Sequence, residues 1–510
     1  TQIMSLTAAQ IGGLDATDVG DLTTTQIAAF SAAQIGQLSE TSFSALNGTQ
    51  VGALSAAQIR GVTTTQIAGL QAADIEEFTT TQITSLTATQ VSAFTTTNIN
   101  ALSTTQLGAF SASQIGALNA TNLAALDANQ MAALTATQIR GLTTTQLVNL
   151  SSTDLGELTS TQIGALTRTQ TVALTATQIS ALDATQSAGL TTTQIQGLTT
   201  AQLRGLDETD IGDLTTTQLS SLAAAQVGQL TATSFSALSE TQLGALSTAQ
   251  LAGVTTTQLA ALTTTDVAEF TTTQIAALNA TQLANISATN IAALTTTQVG
   301  ALTATQIGLL KTTQFSALDA TQVAAISATQ LRGVTAAQIA ALDATDISEL
   351  SATQVGLLSR TQFNALNATQ LSALDADQAA GITTTQITGL SQAQIRGLNE
   401  TDVAELSTTQ LAAFSGTQIG QLTATAFVAL DETQVGALSV TQLKGLTTTQ
   451  LSALSTTDLN EFSSTQLASF TSTQLGSISG LNLGALTTTQ IAGFSAAQIA
   501  GLTTTNFSAL

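Results

Sequence analysis

The chain has 510 residues with no Cys, His, Trp, Tyr or Pro, 8% charged residues and a net charge of −22. The missing Cys and His remove disulfides, thiolate and imidazole metal sites and the usual bases and nucleophiles, and the acidic balance argues against nucleic acid and anionic lipid as partners. Yet 43% of the chain is hydrophobic, too much for disorder, while no apolar run approaches the roughly 18 residues of a bilayer span, so no membrane insertion is expected.

From Leu6 onward the chain is written in eights. "LTTTQIAAF" at Leu22–Phe30 runs straight into "FSAAQIGQL", and sixty-three such octads follow one another with no insertion or deletion. Position 1 of the octad is always Leu, Phe, Val or Ile. Position 2 is Thr, Ser, Asp or Asn except at Gln71, Ala223 and Lys311, and position 5 is Gln in 47 octads. Position 6 is large and apolar except at Thr171, Ser187 and Ala379; positions 7 and 8 are mostly Ala, Gly or Ser.

Each octad reads as a helix start. A hydroxyl, Asp or Asn at position 2 can accept an orphan backbone N–H as N-cap. Gln at position 5 is then the third helical residue and completes a capping box, while positions 1 and 6 are the two partners of a hydrophobic staple. Gly at position 8, as in Gly61 or Gly141, predicts a left-handed C-cap before the next start. A helix this short is marginal alone, so successive copies must stack and bury positions 1 and 6 in one continuous core. The expected fold is an all-α solenoid of one- to two-turn helices, one per octad. A β-solenoid is the alternative, favoured by the Thr-rich text but opposed by apolar positions spaced five and three apart.

A longer period is written over the octads. Asp replaces Gln at position 5 eight times, and all eight octads carry an acid at position 8. The pairs are Asp18/Asp21, Asp74/Glu77, Asp154/Glu157, Asp210/Asp213, Asp266/Glu269, Asp346/Glu349, Asp402/Glu405 and Asp458/Glu461. They lie 7, 10, 7, 7, 10, 7 and 7 octads apart, so the pattern returns every 192 residues. "TSFSAL" at Thr41 returns at Thr233, and "TAFVAL" follows at Thr425. The chain therefore reads as a single continuous solenoid with higher-order units 14–205, 206–397 and a partial 398–510. Seven superhelical turns per 24 octads, about 3.4 octads or 27 residues per turn, would bring the acidic pairs onto one line.

A carboxylate pair at i, i+3 shares one face of a helical turn. Its plain role is a solvated patch that keeps rods apart. Its sharper role is Ca²⁺ binding, since Ca²⁺ takes several oxygen ligands; Asp15 could join Asp18 and Asp21, Asp207 could join Asp210 and Asp213, and Asp343 could join Asp346 and Glu349. The cations Arg60, Arg140, Arg204, Arg332, Arg396 and Lys444 all hold position 7 before a Gly, one or two octads ahead of an acidic octad. They suit the negative end of a short helix, or pairing between neighbouring rods. Self-association is thus the expected partnership.

The phrase L-[ST]-x-x-Q-[IVL]-x-x-L, as in "LTATQIGLL" and "VTTTQLAAL", resembles the octapeptide tracts of giant bacterial cell-surface, adhesin-like proteins. That resemblance implies export and a role as stalk, sheath or fibre; it carries over no catalytic or binding residue. The chain opens on Thr1 in mid-phrase, and we read it as a window of a longer repetitive protein. Ser and Thr hydroxyls abound, but none sits in a distinctive setting, so no enzymatic role and no required cofactor is expected. The alternative to a filament is a binding surface, for calcium or mineral along the acidic line or for ice along the Thr arrays.

Overall fold

The structure, a computed structural model, describes residues 2–510. Among these residues there are 63 α-helices of four to six residues, a single 3₁₀ turn at Ile3–Ser5 and no strand. Each octad after Leu6 supplies one helix, in an all-α solenoid.

The local signals work as written. In the helix Thr24–Ala28, Thr23 sits in extended backbone (φ −70°, ψ 156°) and its side chain accepts the Gln26 N–H, while the Gln26 side chain accepts the Thr23 N–H. At Ala223 the side chain offers no acceptor, so only the second half of the box forms, from Ala223 N–H to Gln226 Oε1 at 3.0 Å. Positions 1 and 6 are the core: Ile27, Ile35 and Ile59 are fully buried, and Phe30 and Leu38 are nearly so. Two pairs of position-1 rings meet edge to face, Phe94 with Phe110 at 6.2 Å and Phe462 with Phe470 at 5.5 Å, the arrangement their quadrupoles favour.

The corner between helices corrects one expectation. No described residue has a positive φ, glycines included. The chain turns instead through two extended residues, position 1 and the next N-cap: Leu70 (φ −62°, ψ 138°) and Gln71 (φ −85°, ψ 170°). No residue is required to be left-handed, so the glycines serve another purpose.

That purpose is close approach between turns. Helices pack against the third helix onward: Ala32–Ile35 on Ala56–Gly61, Ala112–Ile115 on Ala136–Gly141 and, in the second unit, Ala368–Leu371 on Gln392–Gly397. A Cβ on Gly61 would lie 2.1 Å from the carbonyl oxygen of Ala32, and one on Gly36 would lie 2.6 Å from the carbonyl oxygen of Gly61. The pattern pairs a position-7 glycine with the position-8 glycine of the third octad onward, and it recurs at Gly116/Gly141, Gly228/Gly253, Gly308/Gly333 and Gly420/Gly445.

The chain forms two compact units, Thr1–Ala261 and Leu262–Leu510. Within each unit the contacts between turns join residues 25 to 31 apart. That span brackets the 27-residue turn read from the spacing of the acids.

Candidate functional site: a glutamine clamp and its acidic interruptions

The repeated functional group is the position-5 glutamine. Gln58 shows its geometry. Its Oε1 accepts the backbone N–H of Ser55 at 2.8 Å and the Ser55 hydroxyl at 2.9 Å. Its Nε2 donates to the carbonyls of Ile27 at 2.8 Å and Phe30 at 2.9 Å, one turn back in the solenoid. Those two carbonyls lie at and just beyond the C-terminal end of the helix Thr24–Ala28, where intrahelical partners run out. One side chain therefore closes the N-terminus of its own helix and the C-terminus of the helix in the adjacent turn. Gln58 is 4% exposed, so the Phe30 carbonyl would be orphaned without it, whereas the Ile27 carbonyl also accepts the Phe30 N–H at 3.2 Å. Gln194, Gln330 and Gln450 repeat the arrangement on the carbonyls 31 and 28 residues earlier.

Departures from Gln weaken the clamp in graded steps. Asn is one methylene shorter: Asn98 and Asn290 donate only to the carbonyl 28 residues back, Leu70 at 2.8 Å and Leu262 at 2.7 Å. Ser234 keeps that one bond through its hydroxyl, to Leu206 at 2.8 Å. Ala426 has no donor. These last two precede the buried rings of Phe235 and Phe427.

Asp keeps half the clamp. Asp74, Asp154, Asp210, Asp402 and Asp458 each accept their N-cap backbone N–H at 2.7–2.8 Å through Oδ2. Asp18, Asp266 and Asp346 do the same at 2.8–3.0 Å. A carboxylate has no proton to give, so nothing replaces the Nε2 donation. The carbonyls that a glutamine would reach from these positions include those of Leu46, Leu126, Leu182, Leu318, Leu374 and Leu430, and among the described residues no protein donor reaches them. The turn-to-turn contact is carried in places by a hydroxyl: Ser44 donates to Asp74, Ser180 to Asp210 at 2.6 Å and Ser316 to Asp346 at 2.9 Å.

The acid at position 8 faces the start of a helix in the adjacent turn. The Gly48 backbone lies against the Glu77 side chain: a Cβ on Gly48 would lie 3.3 Å from Glu77 Cγ. The Oε2 atoms of Glu77, Glu157 and Glu349 are buried with no hydrogen-bond partner. Burial raises the Glu77 carboxyl above the ordinary glutamate value of 4.5, and the Asp74 charge raises it further. Glu157, Glu349, Glu405 and Glu461 are raised for the same two reasons. Here the repulsion also comes across turns, from Asp127, Asp319, Asp375 and Asp431 respectively. Each of these is the N-cap of the third helix before the one its glutamate ends. The pairs seen in the sequence are thus members of larger acidic groups, and that fixed interval of helices was the available signal.

The other candidate ligands are engaged locally. Asp15 accepts the amides of Thr17 and Asp18, both at 2.9 Å. Asp207 accepts those of Thr209 and Asp210, and Asp343 that of Asp346. Asp21 caps the C-terminal end of its helix and Asp213 ends its own, while Glu269 is a C-cap. Among the described residues no three acidic side chains are arranged to hold a metal ion. Of the position-7 cations, Arg140 reaches the Ala165 carbonyl at 3.4 Å and Arg396 the Gln421 Oε1 at 3.2 Å, each in the adjacent turn.

Residues 67–104 and 267–304 are similar to a family described as the ALTTAQ repeat. The chain is a repeat protein. No curated protein matches it. Among the described residues no helix is long and apolar enough to cross a membrane.

Proposed function

We propose that this repeat protein is a structural element, a stalk, filament or sheath segment that works mechanically on the outside of a bacterial cell. The observation that supports this reading is the glutamine clamp. It joins an octad to the backbone of the adjacent turn, and it does so in both units. Two cross-turn hydrogen bonds per clamp, about 1 kcal/mol each in net terms, add a directional link to the non-directional burial of positions 1 and 6. Such a link resists separation of turns along the solenoid axis, which is the load a stalk carries.

Electron microscopy of the native material tests the proposal. Fibres or thin projections are the expected result, and scattered compact particles would refute it. Surface labelling of intact cells tests the external location separately. A thermal-hysteresis measurement distinguishes a spacer from an ice-binding surface: a spacer leaves the freezing point unchanged.

A further inference from the structure

We infer that the acidic octads are proton-set seams, places where carboxylate repulsion loosens the contact between turns at neutral pH and a proton relieves it in mild acid. This goes beyond the mechanical reading and does not depend on an external location.

Three observations carry it. First, Asp at position 5 fills the acceptor role of Gln but cannot donate, so the Leu46, Leu126, Leu318, Leu374 and Leu430 carbonyls have no protein donor. Second, the acid at position 8 always accompanies that loss and sits against further carboxylates. Glu77 faces Asp74, and Glu157 faces Asp154 and Asp127. Glu349 faces Asp346, Asp319 and Asp343; Glu405 faces Asp402 and Asp375; Glu461 faces Asp458, Glu432 and Asp431. No cation is among the charged groups acting on any of these five. Third, Oε2 is buried and unpartnered in Glu77, Glu157 and Glu349, which is costly for a charged oxygen.

Two like charges at i, i+3 repel. A proton taken from solvent by the Glu carboxylate removes its charge and with it that repulsion. It also removes the charge pressing on the N-cap acid across the turn. The raised affinity of these five glutamates for protons places the change above pH 4.5. The seams are 7 or 10 octads apart, separated mainly by octads with Gln at position 5.

Hydrogen exchange on the full chain, corrected for intrinsic rates and read from pH 7.5 to 4.5, tests this. At pH 7.5, amides of the seam helices Ala72–Glu76, Ser152–Gly156 and Thr456–Asn460 should exchange about tenfold faster than those of the clamped helix Ala88–Ser92. At pH 4.5 the difference should narrow to about fivefold or less, the part due to carboxylate repulsion being lost. The fivefold variant E77Q/E157Q/E349Q/E405Q/E461Q should show the acid-like pattern at both pH values. Equal protection at pH 7.5, or a variant that keeps the wild-type pH response, would overturn the inference. ¹³C-carboxyl titration of glutamates in the wild-type chain gives an independent reading: five resonances should titrate above 4.5, and ordinary titration of all of them would overturn it equally.

Discussion

Replacing Gln90 by Glu removes one proton-bearing group and little else, so it measures the clamp directly. Gln90 is 3% exposed. Its Nε2 donates to the carbonyls of Ile59 and Val62, both at 2.7 Å, and its Oε1 accepts the Thr87 amide at 2.8 Å and the Thr87 hydroxyl at 3.1 Å. Gln90→Glu keeps the two accepted bonds and loses both donated ones. It also sets a carboxylate oxygen against two carbonyl oxygens in a buried site. Two lost bonds at about 1 kcal/mol each set the lower bound, and the Val62 carbonyl left unsatisfied together with the buried carboxylate raises the sum to about 3–5 kcal/mol. Gln90→Met forfeits all four bonds but buries no charge, and should cost about 2–3 kcal/mol. A stacked-repeat chain need not unfold in one step, so the quantity to measure is local: hydrogen exchange at the amides of Ile59, Val62 and Val91. Loss of protection should be largest for Gln90→Glu and should shrink on acidification, when the neutral carboxyl regains a donor. Wild-type protection in Gln90→Glu, or greater loss in Gln90→Met, would refute the clamp as the link between turns.

Gly61→Ala puts a methyl 2.1 Å from the Ala32 carbonyl oxygen; the two turns must separate, and local stability measured by exchange should fall by about 1–3 kcal/mol. Gly52→Ala, with nothing within 4 Å of the added atom, should be neutral or stabilising by about 0.5 kcal/mol in the same measurement. Ala223→Ser restores the missing acceptor to an N-cap already in extended backbone (φ −71°, ψ 154°) and should add about 0.5–1 kcal/mol, read as a higher melting temperature. Ala379 stands where other octads carry a large apolar residue and borders a small cavity of about 20 Å³ lined by Leu371, Leu374, Ile382 and Leu398; Ala379→Val should stabilise its region by about 1 kcal/mol, and destabilisation would mean the gap is already closed. Glu349 binds its proton more tightly folded than unfolded, because of burial first and the Asp346, Asp319 and Asp343 charges next. Its contribution therefore favours folding fully below 4.5 and is lost as pH rises through the raised value; melting temperature should climb from pH 7 towards 5, and Glu349→Gln should flatten that climb.

The helices were legible because every signal for them is local. The cap at Thr23, the box residue Gln26 and the staple pair Phe30 and Ile35 lie within one or two octads, and each does in the structure what its spacing predicts. The second hydrogen-bonding role of Gln26's counterparts was harder to see. A capping box leaves the amide nitrogen unassigned, and nothing in one octad states that this nitrogen reaches main-chain oxygens in the adjacent turn. The role of Gly61 was misread for a related reason. A glycine at a helix end signals a left-handed residue or a close neighbour, and only its regular spacing from Gly36 separates the two. The acidic pairs were visible, but their cross-turn partners Asp127, Asp319, Asp375 and Asp431 were hidden among ordinary N-caps.

The clamp's targets on the adjacent turn are main-chain oxygens, and every octad offers the same two. A glutamine cannot distinguish which octad supplies them. Gain or loss of whole octads by slippage of the coding sequence would leave each bond with a replacement acceptor, whereas the glycine pairs would fall out of step with one another. Natural variants of different length should therefore differ by whole octads, and those that keep the spacing of Gly36 and Gly61 should be the tightest wound.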